Sequence, residues 1–494
     1  MRKIADGLFI AFFALLCLNA AFRLSIRPVS ILMASHGGEM SFYPLVALAG
    51  LTAYGVKRGL VAIPRWVWWG LSLGILALGA SIFVNPIDMS HIDYPHGRVR
   101  FLVWQCKTVV LSFGWMMVVV AAVHAWYRRD SFHLFGLMAN GILLSLVPVT
   151  IVGVLELMAK TGVCPQLDEP MYRVAKFLVG DSIPLYRYWG RLRSLFPEPS
   201  YLACWGSFAL PALLAVFANR RKTVDAIGVF VVMIMMMLSM SRTAMLVLLA
   251  VLVPWLVLLA WWKSWNRFAI LVGLTAAALG MSAGLYQTGR IGSVNDDMDP
   301  RVRYARSKEV RKHSATHVKA DATAVIPPQG EQQVFDSVTA GAMADRAAHV
   351  MTDFNIFKAT YGLGCGHSVA GIVFEDYYRF VPGQHKAIDK HFANQRKLGR
   401  VEYVVCPQST WSRLLAEHGV QGFLFYGIVI CALCWKLFVI TCRRRSKEAF
   451  AILTGFLGFL AASISTYLMW SFQLAFWVGF ALVFLANQMR DPSK

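Results

Sequence analysis

The sequence predicts an all-α polytopic membrane protein, and three observations lead there. Of its 494 residues, 57% are hydrophobic and only 15% charged, and the mean hydropathy is +0.54, too apolar for a soluble protein of ordinary make-up. Apolar runs of bilayer-spanning length, about 20 residues, recur along the chain. One long water-loving segment, residues 290–408, interrupts them.

Runs at 4–23, 40–56, 64–84, 101–123, 134–158, 199–219, 224–241, 242–262, 268–287, 418–440, 449–467 and 469–488 predict about twelve transmembrane helices. The first follows Arg2 and Lys3 like a signal peptide but lacks a small-residue cleavage site, so it reads as a retained anchor. With Arg2 and Lys3 inside, every second short connection is basic. These connections carry Lys57, Arg58 and Arg65; Arg128 and Arg129; Arg220, Arg221 and Lys222; Lys263 and Arg267; Arg443, Arg444, Arg445 and Lys447; and Arg490 with Lys494. Both termini are then cytoplasmic. The alternation requires a tight outer turn at 239–243, which brings Arg242 to the outer surface. The chain thus divides into nine spans over 1–289, with a short outer connection at 160–197, a large outer loop at 290–410, and three last spans over 411–494.

The net charge is +21, from 48 Lys and Arg against 27 Asp and Glu. Many cations lie in the two outer segments, where long translocated stretches escape the positive-inside bias. They ask for an anionic partner outside the membrane, or else are solvated or touch lipid head groups. No helix-turn-helix, finger or RNA-binding signature is present, so nucleic acid is not an expected partner. Nine cysteines without paired CxxC spacing, and loop histidines His313, His317, His349, His385 and His391 without ligand spacing, give no metal signature. Cys431 and Cys434 read as packing residues. If the large loop faces an oxidising compartment, Cys365 and Cys406 are candidates for a disulfide. The acidic run Asp296, Asp297, Asp299 resembles the Asp-x-Asp of metal-dependent sugar transferases, but polar loops commonly carry such clusters.

Within the large loop, Val338, Met343, Val350, Phe354 and Phe357 recur at helical spacing and predict a helix over 337–361 lying on the outer membrane face. Gly362, Gly364 and Gly366 end it in a turn, followed by His367. Arg346 lies on that helix. Arg242, embedded between apolar stretches, is expected to have a partner and a purpose, its guanidinium suiting a phosphate or diphosphate, or else to snorkel to the interface. Pro197 and Pro199 force an extended lead into a span, with Ser200 as its cap, and hold Glu198 beside Arg191 and Arg193. Glu198 is a candidate general base or an ion-pair partner. His367 is a candidate proton acceptor or a turn residue. Gln408 and Glu417, at the start of the tenth span, are expected to line the outer cavity.

Four stretches resemble the O-antigen polymerase and O-antigen ligase superfamily of bacterial inner-membrane proteins: Phe196-Pro197-Glu198-Pro199-Ser200-Tyr201-Leu202-Ala203; Ser241-Arg242-Thr243; the Arg346 helix with Gly362-Leu363-Gly364-Cys365-Gly366; and Leu414-Leu415-Ala416-Glu417-His418-Gly419-Val420-Gln421-Gly422. The resemblance covers roughly residues 190–490. It implies a GT-C-like membrane glycosyltransferase that uses undecaprenyl-diphosphate-linked glycan as donor and acceptor in the periplasm, with no metal or other cofactor. It makes Arg242 and Arg346 diphosphate ligands, with Arg191 and Arg193 as further candidates. The ligase branch carries a His-Asn pair where Gln408 and Ser409 stand here, which points to a polymerase of polysaccharide repeats. A ligase acting on lipid A core or protein is the alternative. Membrane lipids are expected partners, and a chain-length regulator is an admissible one. A lipid or glycan flippase is the alternative of another class, but no related halves are visible and no nucleotide-binding loop is present.

Overall fold

A computed structural model describes residues 1–18, 39–87, 90, 92–94, 97–128, 130–167, 169–171, 173, 191–196, 198–220, 222–287, 330–381, 386–401, 404–405, 407–468 and 471–490. Among these residues the chain is helical and has no extended strand. In hydrocarbon every backbone N–H and C=O must be paired within its own segment, and an apolar helix does this without outside help.

Helices fall on every expected run: α1 (Arg2–Leu15), α2 (Phe42–Lys57), α3 (Arg65–Phe83), α4 (Arg98–Tyr127), α5 (Ser131–Lys160), α6 (Pro199–Arg220), α7 (Thr223–Leu238), α8 (Arg242–Trp261) and α9 (Trp265–Gln287). The loop contributes α10 (Gly330–Ala359), α11 (Val369–Ile372), α12 (Phe374–Tyr378) and α13 (Lys386–Leu398). Then come α14 (Thr410–Arg444), α15 (Lys447–Ile464) and α16 (Phe472–Arg490). By length and composition 8 of these are able to cross a membrane, namely α3, α4, α5, α6, α8, α9, α14 and α15, while α7 and α16 are shorter apolar helices. The expected loop helix at 337–361 is α10, which starts seven residues earlier and ends two residues earlier.

The bundle is built around α6, almost all of whose residues are buried, whereas α9 is largely exposed. Small residues let the backbones approach where no aqueous hydrophobic effect pulls helices together. A Cβ on Gly458 of α15 would lie 2.8 Å from the Ser207 carbonyl oxygen of α6, and one on Gly206 would lie 2.4 Å from Met236 Sδ of α7. Beside these contacts, Phe13, Phe208 and Phe476 meet edge to face or tilted, with Phe13 and Phe476 centroids 4.8 Å apart. Trp255 satisfies its indole N–H on Thr454 Oγ1 at 3.1 Å.

The two ends of the bundle are held by different contacts. At one end Arg2 pairs with Asp130 at 3.0 Å, Arg267 and Lys447 both donate to the Ala218 carbonyl, and Arg444 donates to Gln488. Arg220 packs over Gly136, one turn into α5, joining these groups. The basic connections read from the sequence therefore gather on one face. At the opposite end Leu192 N–H donates to the Leu238 carbonyl at 3.1 Å, Thr243 and Ser465 hydroxyls meet at 2.5 Å, and Thr410 Oγ1 donates to the Thr466 carbonyl at 2.7 Å.

Candidate active site

At this second end the tight turn falls where the charge alternation places it. Helix α7 stops at Leu238, Ser239–Ser241 make the turn, and Arg242 opens α8. Ser241, the residue before the helix, makes no side-chain capping bond. The first N–H groups of α8 thus point outward with the positive end of the helix dipole, and the exposed Arg242 adds a full charge there. A cation at a helix N-terminus is unfavourable for the helix alone. The same combination suits a phosphate.

The 191–196 segment is pinned beside that turn by a carboxylate that no local pattern singles out. Glu156, in the last turn of α5, accepts the backbone N–H groups of Arg193 at 3.1 Å and Ser194 at 2.6 Å, and Arg193 Nε at 3.3 Å. Lys160, one turn on, reaches Glu156 at 2.6 Å and the Arg191 carbonyl at 2.5 Å. Ser194 is held in the left-handed region, φ 57°, with its hydroxyl on the Val149 carbonyl. The carboxylate that pairs with Arg193 is thus Glu156. Glu198, half-buried, precedes α6, and its side chain takes the Ser200 hydroxyl at 3.4 Å. Ser200 lies inside the first turn of α6, not at its cap.

Across the same end, the glycine turn clasps a break in α14. Gly419 adopts φ 65° and ψ −166°, which interrupts the helix. The opened backbone pairs with the turn: Cys365 N–H donates to the Ala416 carbonyl at 2.9 Å, Gly366 N–H to Glu417 at 2.8 Å, and Val420 N–H to Gly362 at 2.8 Å. A Cβ on Gly364 would stand 2.4 Å from Gly419 N, and Gly364 has φ +82°. Only glycine fits there.

This clasp places His367 over a buried polar cluster. His367 Nδ1 lies 3.4 Å from Glu417 Oε2, and Arg413 Nη1 lies 3.7 Å from Glu417 Oε1. On its other side Arg413 Nε is 3.3 Å from Asp353 Oδ1, a residue of α10, and Ser412 Oγ donates to Asp353 Oδ2 at 2.8 Å. Arg413 is 1% exposed. A charge that deep is tolerable only because two carboxylates flank it. Burial pushes the Asp353 carboxyl up to about 6, against the opposing pull of Arg413 and Ser412. Burial likewise raises the Cys365 thiol and the Tyr467 phenol well above their usual values, with Glu417 adding to both. Tyr467 follows Thr466, so the cluster reaches the α8 and α15 contacts described above. His418 Nδ1 is 2.6 Å from the Leu78 carbonyl, and Gln105 holds the His367 carbonyl.

Among the expected site residues, the structure brings His367 and Glu417 into direct contact. Arg242 and Arg193 share one end of the bundle through the Leu192–Leu238 bond. Arg191, half-buried, lies in the segment tied down by Glu156 and Lys160. Arg346, half-buried, sits on α10 roughly two turns before Asp353. Gln408, half-buried, precedes α14, whereas Glu417 is buried in the cluster. Glu156, Lys160, Asp353, Arg413 and Tyr467 were not foreseen. The Arg413 and Glu417 pair stands at i, i+4 spacing and was legible in principle; Asp353 is one acid among several in a polar helix. Cys365 is a buried free thiol, and Cys406, like Asp296–Asp299, His313, His317 and His385, lies outside the described residues. His367, Glu417 and His418 present three possible ligand atoms within 4.8 Å of one another, a grouping that the sequence spacing does not announce.

Residues 227–427 match a family model described as O-antigen ligase. No curated protein matches the chain.

Proposed function

We propose, from the match of residues 227–427 to that family model, that the chain is a glycan-transferring enzyme that joins undecaprenyl-diphosphate-linked repeat units at the periplasmic face of a bacterial inner membrane. The observation that carries this reading is the His367–Glu417 pair at the same end of the bundle as Arg193 and Arg242. A hydroxyl of one lipid-linked unit attacks the anomeric carbon of the growing chain. The new C–O bond forms as the bond from that carbon to the diphosphate oxygen breaks, and the hydroxyl proton passes to His367 Nε2. Glu417, facing Nδ1, keeps the neutral ring's proton on Nδ1 and stabilises the imidazolium that forms. The departing undecaprenyl diphosphate gains one negative charge, because the electron pair of the broken bond stays on its oxygen. Arg242, with the α8 N-terminus, and Arg193 and Arg346 receive that charge, the kind of fixed electrostatic stabilisation that is usually the largest catalytic contribution. Glu198, half-buried before α6, is the second candidate base.

In this reading both termini are cytoplasmic and a chain-length regulator is a natural partner. A ligase is the second reading, favoured by the description of the matched family. Incubating the purified protein with lipid-linked repeat alone separates them. A ladder of longer lipid-linked glycans is the polymerase result; transfer that occurs only when lipid A core is added is the ligase result, and no transfer in either mixture contradicts both.

A further inference from the structure

We infer that His367, Glu417 and His418 form a three-ligand site for a transition-metal dication of the Zn²⁺ type, and that its occupancy switches glycan transfer off. The binding half stands on the geometry alone; the inhibitory half rests on the role proposed for His367.

Three features make the site. The ligand atoms are His367 Nδ1, Glu417 Oε2 and His418 Nε2, with the first two 3.4 Å apart and the last two 4.0 Å apart. Tetrahedral zinc, with bonds near 2.0–2.1 Å, holds its ligands roughly 3.4 Å from one another; one pair already has that spacing, and all three atoms lie within 4.8 Å of one another. Secondly, the ring orientations are set from outside the site. His418 places Nδ1 on the Leu78 carbonyl at 2.6 Å, which fixes the N–H there and turns the Nε2 lone pair toward Glu417. A backbone carbonyl on the far ring nitrogen is the usual support of a metal-bound imidazole. Glu417 gives its other oxygen to Arg413. Thirdly, the two ligand segments are stitched together by the Cys365–Ala416 and Gly366–Glu417 backbone bonds, so the ligands are held in place before any ion arrives.

Charge decides what the site would take. The groups facing it are Arg413, Asp353, Cys365 and Tyr467. With neutral imidazoles and both carboxylates ionised, one guanidinium balances two anions. The deficit is one positive charge; a proton would fill it and a dication would more than fill it, and the two compete. Two imidazole nitrogens with one carboxylate oxygen suit Zn²⁺, Co²⁺ or Ni²⁺ better than Mg²⁺ or Ca²⁺. A metal on Nδ1 takes the lone pair there, so the neutral ring's proton moves to Nε2, which then has no lone pair to take a proton from the acceptor.

The test uses the full-length protein in detergent, stripped with chelator and titrated with Co²⁺, read by visible absorption, and with Zn²⁺, read by calorimetry. One ion per chain with the absorption of a low-coordinate Co²⁺ site is expected. His418→Gln should weaken binding at least tenfold, and His367→Gln should do the same. His418→Gln should also retain extension in chelator and lose the inhibition that Zn²⁺ causes in the wild type. Absence of Co²⁺ binding by the wild type, or equal binding by folded His418→Gln and His367→Gln proteins with unchanged melting temperature, would overturn the site. Tight Zn²⁺ binding with undiminished extension would overturn the inhibitory half. Because binding is read without activity, loss of the polymerase reading leaves this result interpretable.

Discussion

His367 Nδ1 lies 3.4 Å from Glu417 Oε2, with both side chains buried at the break in α14. An imidazole and a carboxylate so placed act as a unit in proton transfer. Glu417→Gln should lower the rate of glycan extension by about 10²-fold while leaving affinity for the lipid-linked donor unchanged. His367→Ala should lose at least as much, and the double variant little more than either alone. Single-turnover extension with each variant checks this; additive losses would mean that the two residues act separately.

Arg242 opens α8 from an exposed position, where a positive charge opposes the helix dipole. Arg242→Ala is expected to abolish extension while leaving the protein folded in the membrane. Arg346→Ala should also abolish extension. Lysine at either position should restore little, because a point charge cannot grip a diphosphate through two parallel N–H bonds. Extension assays beside thermal melting read both halves.

Asp353 gives the fold a pH dependence whose sign can be worked out. Its carboxyl stands at about 6 in the folded chain against an ordinary 3.8. The folded state therefore holds this proton more tightly, and the stability it contributes is full below about pH 4 and is lost as pH rises through 6. Asp353→Asn removes the titration. Melting curves between pH 4 and 7 should show a flatter pH profile for the variant than for the wild type.

The bundle and its polarity were legible because lipid forces long apolar helices and charge forces the basic loops to one side. Thus the turn at Ser239–Ser241, the helix before Gly362 and the gathering of Arg2, Arg267 and Lys447 on one face all follow from local rules. The pairing of charges did not. Glu156 and Arg193 are brought together by the packing of α5 against the segment before α6, and Asp353 meets Arg413 because α10 folds onto α14. Contacts between residues far apart in the chain leave no periodicity to read. His418 looked like one more residue of a glycine-flanked run until Leu78 fixed its ring.

The clasp between the glycine turn and α14 should be intolerant of a single methyl group. A Cβ on Gly364 would meet Gly419 N at 2.4 Å in a left-handed backbone, and one on Gly419 would meet the Gly362 carbonyl oxygen at 2.5 Å. Either alanine substitution is expected to cost about 2–4 kcal/mol or more and to separate His367 from the arginine end. Gly284, with nothing near its Cβ position, is the control, and its alanine variant should melt with the wild type.

The most direct measurement is the extension of purified undecaprenyl-diphosphate-linked repeat unit by wild-type and Arg242→Ala proteins, following both the glycan and the released undecaprenyl diphosphate. The account predicts a ladder of lengthened glycans with one undecaprenyl diphosphate released per bond formed in the wild type, and neither product from the variant. An equal ladder from Arg242→Ala would contradict it.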